Sequence, residues 1–106
     1  MDAQVTLERG QTASVGQPRV RIRFVEVVSD SRCPLNAICI VPGEAVARIE
    51  LSQGDAPRET HDVATGKTKR SELLNVDVKF VELSPYPASI HPIPQSDYRA
   101  TFRLTR

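Results

Sequence analysis

The chain has 106 residues and a formal net charge of +1, with 40% hydrophobic and 25% charged residues. This length is typical of one domain with one core, and the composition is globular rather than disordered. A nearly neutral chain has no general attraction for nucleic acid, and no run of roughly 18 apolar residues predicts a membrane-spanning helix. We therefore expect a single domain, residues 1–106, without a nucleic-acid partner or a direct membrane span.

The N-terminal segment Met1–Gln4 lacks the basic and apolar parts of a signal peptide. Two interpretations follow: either the protein is cytosolic, or a signal sequence has been removed from it. The cysteines further along the chain favour the second interpretation.

Alternating apolar and polar residues predict β-strands along most of the chain, and no stretch keeps a helical period. Short runs at residues 4–8 and 12–15 precede a strictly alternating one, Arg19–Phe24. The alternation then changes phase at Val25. Such a change is typical of a β-bulge.

The polar face of this first strong strand is a candidate contact for an anion. It carries three guanidinium groups, from Arg19, Arg21 and Arg23. An arginine ladder of this kind could bind an anionic polymer or an acidic partner. The alternative is an exposed sheet face whose arginines pair with carboxylates on neighbouring strands, such as Glu50 or Asp77.

Both cysteines lie in the segment Asp30–Cys39, where five residues that include Pro34 separate Cys33 from Cys39. A disulfide between them would close a small ring, worth about 2 kcal/mol of unfolded-chain entropy. Redox-active pairs usually have a Cys-x-x-Cys spacing at a helix N-terminus, and neither feature is present. A short-looped pair in a small β domain is more often oxidised and exported. We therefore expect a structural disulfide in a periplasmic or extracellular protein whose signal sequence has been removed.

After the cysteines, Val41–Glu44 has Pro and Gly at the central positions of a type II turn. This turn predicts a hairpin between a weak strand at residues 37–41 and the alternating run Ala45–Leu51. A further weak run covers residues 58–64. We expect a solvated turn beyond it, with the cations Lys67, Lys69 and Arg70.

The second half of the chain repeats a pattern of the first. Val76–Phe80 alternates and changes phase at Val81, and Tyr98–Leu104 alternates again. Ile22–Val27 resembles Val78–Leu83, 56 residues later. Two strands at equivalent positions of a sandwich explain this echo, with an ancient duplication as the alternative. Short strands at this spacing predict an antiparallel β-sandwich of about seven or eight strands with one short-loop disulfide.

A proline-rich loop lies between the last two strong strands. Its prolines, in Pro85–Pro87 and Pro92–Pro94, favour an extended backbone and exclude a central strand. Tyr86 could present its aromatic face to a partner or pack on the edge of the core.

The residues give little support for catalysis or metal binding. No nucleophile-elbow, zinc-protease or phosphate-loop motif occurs. Glu59 and His61 should share one strand face, opposite Asp62, which is typical of a solvated strand. His61 and His91 could join the cysteines around a metal, but the two histidines are 30 residues apart, unlike those of zinc fingers. We therefore expect that the protein is not an enzyme. We also expect no catalytic residues, no cofactor and no metal site.

The string Asp30–Pro34, followed by Cys39 and Gly43–Ala45, resembles a motif of small exported bacterial proteins, many of them candidate lipoproteins, of unknown function. A Pro-Tyr-Pro segment and a final Tyr-Arg-Ala-Thr strand also recur in that group, so the resemblance spans nearly the whole chain. It implies export, an intact disulfide and an all-β fold. The group often has tryptophan two residues after the second cysteine, where this chain has Val41.

We therefore predict an exported, non-catalytic binding or structural β-module, whose partner could be an envelope protein or a glycan. The candidate residues for binding this partner, or for pinning the loop, are Asp30, Arg32 and Tyr86. For Arg32 we favour pinning, because a guanidinium can bond carboxylate and carbonyl oxygens together. Two alternatives stay open: a small metal-binding or hydrolytic protein using His61 and His91, and an inhibitor of a secreted enzyme.

Overall fold

The computed structural model describes residues 2–88 and 92–106, and within them eight strands form two four-stranded antiparallel sheets. The strands are β1 (Asp2–Glu8), β2 (Thr12–Val15), β3 (Val20–Asp30), β4 (Ala45–Ser52), β5 (Glu59–Ala64), β6 (Thr68–Ser71), β7 (Val76–Ser84) and β8 (Arg99–Thr105). Their order is β1-β8-β7-β6 in one sheet and β2-β3-β4-β5 in the other. The predicted β-sandwich is confirmed, as is the disulfide between Cys33 and Cys39.

One hydrophobic core lies between the sheets, formed by the inward-facing residues of the alternating strands. Its centre is aromatic: Phe102 stacks on Phe80 with ring centroids 5.1 Å apart and meets Phe24 edge-on at 6.1 Å. Further side chains with no exposed surface are Val20, Ile22, Ile49, Leu51, Val63, Val76, Val78 and Leu104. Because these positions alternate with polar ones, the outer faces of both sheets are polar.

The predicted bulges are present in β3 and β7, the two strands that contain the repeated sequence pattern. The register of β3 against β4 shifts between Phe24 and Glu26, and that of β7 against β8 shifts between Phe80 and Glu82. A second shift in β3, between Val27 and Ser29, was not predicted.

Beside each bulged strand, the chain turns from one sheet into the other. In the first turn, the Gly10 N–H donates to the Phe24 carbonyl at 2.6 Å, and the Phe24 N–H donates to the Gln11 carbonyl at 3.1 Å. The same bonds recur 56 residues later, at 2.7 and 3.0 Å, between Gly66, Phe80 and Lys67. Both glycines have positive φ, 82° and 78°, a conformation that few other residues adopt without strain.

This recurrence extends to the whole fold, which has internal two-fold pseudosymmetry. Strands β1, β2, β3 and β4 correspond to β5, β6, β7 and β8, and the sheet order β1-β8-β7-β6 maps onto β5-β4-β3-β2. The registers match as well: Leu7 pairs with Ala100 as Val63 pairs with Ala47. Each half therefore contributes its first strand to the sheet built by the other half. The interpretation of the echo as two strands at equivalent positions is confirmed.

The predicted hairpin after the cysteines is wrong. No strand forms at residues 37–41, and β3 pairs directly with β4, from Arg21 with Ser52 to Asp30 with Ala45. A type II turn would require a positive φ at Gly43, but Gly43 is not among the residues with positive φ. Instead its backbone packs closely on Ser31, whose carbonyl a Cβ at Gly43 would overlap. The apolar run at 37–41 therefore belongs to an exposed loop rather than to a strand.

The predicted solvated turn after Thr65 is also wrong in part. Lys69 and Arg70 belong to β6, which pairs with β7. The Arg70 guanidinium donates to Asp77 at 3.2 Å and to the Asn75 side chain at 2.5 Å. The strand is short and highly charged, so its alternation was too brief to detect.

Candidate functional site

The cysteine segment and the proline-rich segment form two equivalent loops at one end of the sandwich. The first loop, residues 31–44, joins β3 to β4, and the second, described at residues 85–88 and 92–98, lies between β7 and β8. They touch where the Leu35 N–H donates to the Pro87 carbonyl at 2.9 Å. We call residues 31–44 the ring loop, because the disulfide closes a ring within it.

The base of the ring loop is fixed by hydrogen bonds between its two ends. The Ser31 N–H donates to the Glu44 carbonyl at 2.8 Å, and the Ser31 hydroxyl bonds the same carbonyl at 2.9 Å. Beyond this base, Cys33 and Cys39 are joined with their Cα atoms 6.0 Å apart. The Ala37 N–H closes a turn inside the ring by donating to the Pro34 carbonyl at 3.1 Å.

Arg32 lies at the centre of this end of the molecule, with only 8% of its surface exposed. Its guanidinium makes a two-point ion pair with Asp30, Nε to Oδ1 and Nη2 to Oδ2, each at 2.8 Å. Two further donors cross to the end of β7 and the start of the second loop, Nη1 to the Leu83 carbonyl at 2.6 Å and Nη2 to the Pro85 carbonyl at 3.0 Å. A single buried cation thus links the end of β3 to the end of β7.

Two tyrosines complete the surroundings of this ion pair. The Tyr98 hydroxyl donates to Asp30 Oδ2 at 2.8 Å, and the Tyr86 ring centroid lies 5.2 Å from Arg32 Cζ, in cation–π contact. Tyr98 was predicted only as an inward-facing strand residue. The residue type was the sequence signal for this hydrogen bond. A buried tyrosine needs a partner for its hydroxyl, whereas a buried phenylalanine does not.

The network shifts the pKa values of its members in directions that keep the ion pair charged. Burial alone would raise the pKa of Asp30, but the hydrogen bonds from Arg32 and Tyr98 outweigh it and lower that pKa. The hydrogen bond to Asp30 raises the pKa of Arg32 against the opposing effect of burial. Burial, followed by the bond to Asp30, raises the pKa of Tyr98 to about 12.

Above this polar base, the ring loop exposes an unusual set of aliphatic side chains. Ile38 and Ile40 are as exposed as in an extended peptide, at 103% and 102%, and Leu35 and Val41 are exposed at 74% and 73%. We call these four residues the apolar tip. No charged residue occurs from Cys33 to Gly43. Within the described residues, no hydrogen bond involves the backbone N–H groups of residues 38–41.

The arginine ladder is shorter than predicted. Arg21 and Arg23 point outward from β3, but Arg19 lies in the turn before that strand. Arg23 is 3.5 Å from Glu50, one of the two proposed partners. Asp77, the other, lies on the opposite sheet and pairs with Arg70.

His61 belongs to a hydrogen-bonded chain at the junction of β5 and β6. Its Nε2 lies 3.2 Å from Glu59 Oε1, and the buried Ser71 hydroxyl donates to Glu59 Oε2 at 2.6 Å. Asp62 faces the other way and pairs with Arg48, as the alternation predicted. Ser71 contacts Glu59 rather than His61, so this chain does not have the geometry of a nucleophile and its base.

His91, the second histidine of the proposed metal site, lies outside the described residues. Among residues 2–88 and 92–106, no three side chains of His, Cys, Asp or Glu are grouped so that they could hold a metal ion. The same residues include no helix long and apolar enough to cross a membrane.

Comparisons with protein-family models, with curated proteins and with solved structures give no match to this chain.

Proposed function

We propose that this protein is an exported binding module that docks its apolar tip into an apolar groove of a partner protein. The observation that carries the proposal is the exposure of Ile38 and Ile40, 103% and 102%, on a loop closed by a disulfide. Large aliphatic side chains displayed together on a protein surface are typical of interaction sites.

The rigid base of the ring loop supports this role. A flexible loop loses conformational freedom when it binds, at roughly 0.5–1.5 kcal/mol for each side chain that becomes immobile. Here the disulfide and the bonds of buried Arg32 restrict the backbone beneath the tip before any partner arrives. In this proposal, buried Arg32 therefore holds the backbone beneath the tip in place and does not itself contact the partner.

The uncharged sequence of the tip and its neighbours favours a protein partner over a lipid surface. Proteins that insert a loop into an anionic membrane usually surround it with lysine or arginine, and often add aromatic residues at the interface. Residues 33–43 contain none of these. An uncharged aliphatic projection instead complements a concave apolar site, the kind found in grooves and clefts of proteins.

The disulfide supports a location outside the cytoplasm, because such bonds persist in oxidising compartments. We accordingly propose that the partner belongs to the bacterial envelope or the secreted proteins. Inhibition of a secreted enzyme is a second candidate function. It is favoured by the backbone N–H groups of residues 38–41, which make no hydrogen bonds within the described residues and could pair with a cleft that binds extended peptides.

The proposal is tested by photo-crosslinking from the tip. A benzoylphenylalanine at position 40 is expected to crosslink one envelope or secreted protein, while the same group at Leu73, exposed in the turn between β6 and β7, is not. The captured partner is then purified, and its affinity is measured for wild type, for Ile38→Ser/Ile40→Ser and for the control Leu73→Ser.

We expect the tip variant to lose at least tenfold in affinity, about 1.4 kcal/mol, and Leu73→Ser to stay within twofold of wild type. Crosslinks to lipid alone, or equal affinity of all three proteins, would contradict the proposal. If the partner is an enzyme, loss of its activity on addition of wild type would support the inhibitory candidate.

A further inference from the structure

A second candidate site lies on the outer face of the sheet β2-β3-β4-β5, on the parts of β3 and β4 far from the ring loop. It is a groove of about 300 Å³ lined by Thr12, Arg21, Arg23, Glu50, Ser52 and Arg58. Three of these side chains are guanidiniums and one is a carboxylate. The groove therefore carries an excess of positive charge, although the whole chain is nearly neutral.

The single carboxylate does not neutralise the groove. Glu50 lies 3.5 Å from Arg23 and 3.6 Å from Arg58, longer than the distances of close charge-assisted hydrogen bonds. Among the described residues, the Arg21 side chain bonds only the Gly54 carbonyl, at 3.4 Å. All three arginines are substantially exposed, so their donors remain available to a ligand.

The pseudosymmetry provides an internal comparison. On the other sheet, the positions equivalent to Arg21 and Glu50 are Asp77 and Arg103. There the arginines are matched by carboxylates at shorter distances: Arg103 to Asp2 Oδ1 at 2.8 Å, Arg70 to Asp77 at 3.2 Å and Arg99 to Glu8 at 3.2 Å. The fold does not by itself demand an arginine excess, so the groove is a property of this face alone.

We propose that this groove binds a tetrahedral oxyanion, a phosphate or sulfate group. Guanidinium groups match the geometry of such oxyanions, and the Thr12 and Ser52 hydroxyls add donors. The Glu50 carboxylate, held between Arg23 and Arg58, shows that two guanidiniums can converge on one oxyanion. None of the six described lining residues is aromatic, so they provide no stacking platform of the kind that single-stranded nucleic acids use.

The test uses two probes that distinguish the source of the oxyanion: inorganic phosphate, and a sulfated hexasaccharide. Each is titrated into ¹⁵N-labelled protein at constant ionic strength, and the amide shifts are followed. We expect saturable shifts confined to the strands around the groove. Saturation by phosphate indicates a site for free ions, whereas saturation by the hexasaccharide alone indicates a glycan-borne group.

Three variants make the result specific. Arg21→Gln/Arg23→Gln should raise Kd at least tenfold for the probe that binds. The control Arg99→Gln/Arg103→Gln removes the same charge from the opposite sheet and should change Kd less than twofold. Glu50→Gln removes the competing carboxylate and should lower Kd several-fold, a gain that a purely structural role of these residues would not produce. Equal weakening by both double variants, or no saturable shift with either probe, would overturn the proposal.

Discussion

Arg32 is the residue on which the geometry of the loop end depends. Its guanidinium bonds Asp30 at two points and also bonds the carbonyls of Leu83 and Pro85. The sequence favours such a pinning role, because a guanidinium can bond carboxylate and carbonyl oxygens together. It could not identify the two carbonyls, which lie more than 50 residues away in the chain.

Replacing Arg32 should therefore be costly for stability. Arg32→Met would leave the Asp30 carboxylate half-buried without its cation and two carbonyls without their donor. We expect the free energy of unfolding to fall by about 3 kcal/mol, the cost of breaking a buried ion pair by removing one partner.

The control for this variant is Arg48→Met. Arg48 also bonds its carboxylate, Asp62, at two points, but both side chains are exposed. A loss below about 1 kcal/mol is expected there. Urea unfolding of the three proteins measures the difference, and equal losses in both variants would show that burial of Arg32 contributes nothing.

The tyrosine that bonds Asp30 should make stability depend on alkaline pH. The pKa of Tyr98 is raised to about 12 in the folded protein. A group whose pKa is higher when folded contributes stability that is present below the unfolded pKa, near 10, and is lost as pH rises through the folded pKa. We expect the free energy of unfolding to fall between about pH 10 and pH 12 more steeply in wild type than in Tyr98→Phe. Parallel pH profiles would contradict this origin of the slope.

At the scale of elements, the ring loop shows where a short apolar run misleads. Residues 37–41 are apolar throughout, like a fully buried strand, yet Ile38 and Ile40 face solvent. Such a run forms a buried strand only if other elements cover it, and the sequence does not report whether they do. In β3 and β7 the alternating pattern predicted the strands and their bulges correctly, because apolar residues on both sides of each phase change are buried.

Gly43 is the residue that lets the two ends of the ring loop approach each other. A methyl group there would overlap the Ser31 carbonyl and separate the bonded pair Ser31–Glu44. We expect Gly43→Ala to lower the free energy of unfolding by about 1–3 kcal/mol, as overpacking of a close contact does. Asn36→Ala, an exposed change in the same loop, should stay within about 0.5 kcal/mol. Thermal unfolding of both variants decides the matter, and no loss in Gly43→Ala would show that the loop ends can separate freely.

For the whole molecule, the pseudosymmetry places the ends of the described chain together. Asp2 pairs with Thr105, so β8 and β1 are antiparallel neighbours, as β4 and β5 are. The difference is that residues 53–58 connect β4 to β5, whereas β8 and β1 are the last and first strands of the described chain. The repeated bonds and registers show that the two halves share one topology, in which each half adds its first strand to the sheet of the other. The echo in the sequence was too short to predict this, because it covers only six residues of one strand in each half.

The symmetry predicts that a circular permutant will fold. Thr105 would be joined to Asp2 by a copy of residues 53–58, and the chain opened between Gly54 and Asp55. Since every strand pair is kept, we expect the same circular dichroism spectrum and a free energy of unfolding within about 1–2 kcal/mol of wild type. A second permutant opened inside β4, between Arg48 and Ile49, should not fold. If the first permutant does not fold, the equivalence of the strand pairs β8-β1 and β4-β5 is contradicted.

The sequence by itself determined the class of the fold, most of the strands, the echo bulges and the importance of the cysteine segment. Each of these follows from local alternation, turn chemistry or the spacing of two residues, all of which act over a few positions. Only the tertiary structure decided the exchange of first strands, the carbonyl partners of Arg32, the bond from Tyr98 to Asp30 and the exposure of the apolar tip. These features join residues far apart in the chain, and their geometry is set by how two twisted sheets pack, which no local pattern records.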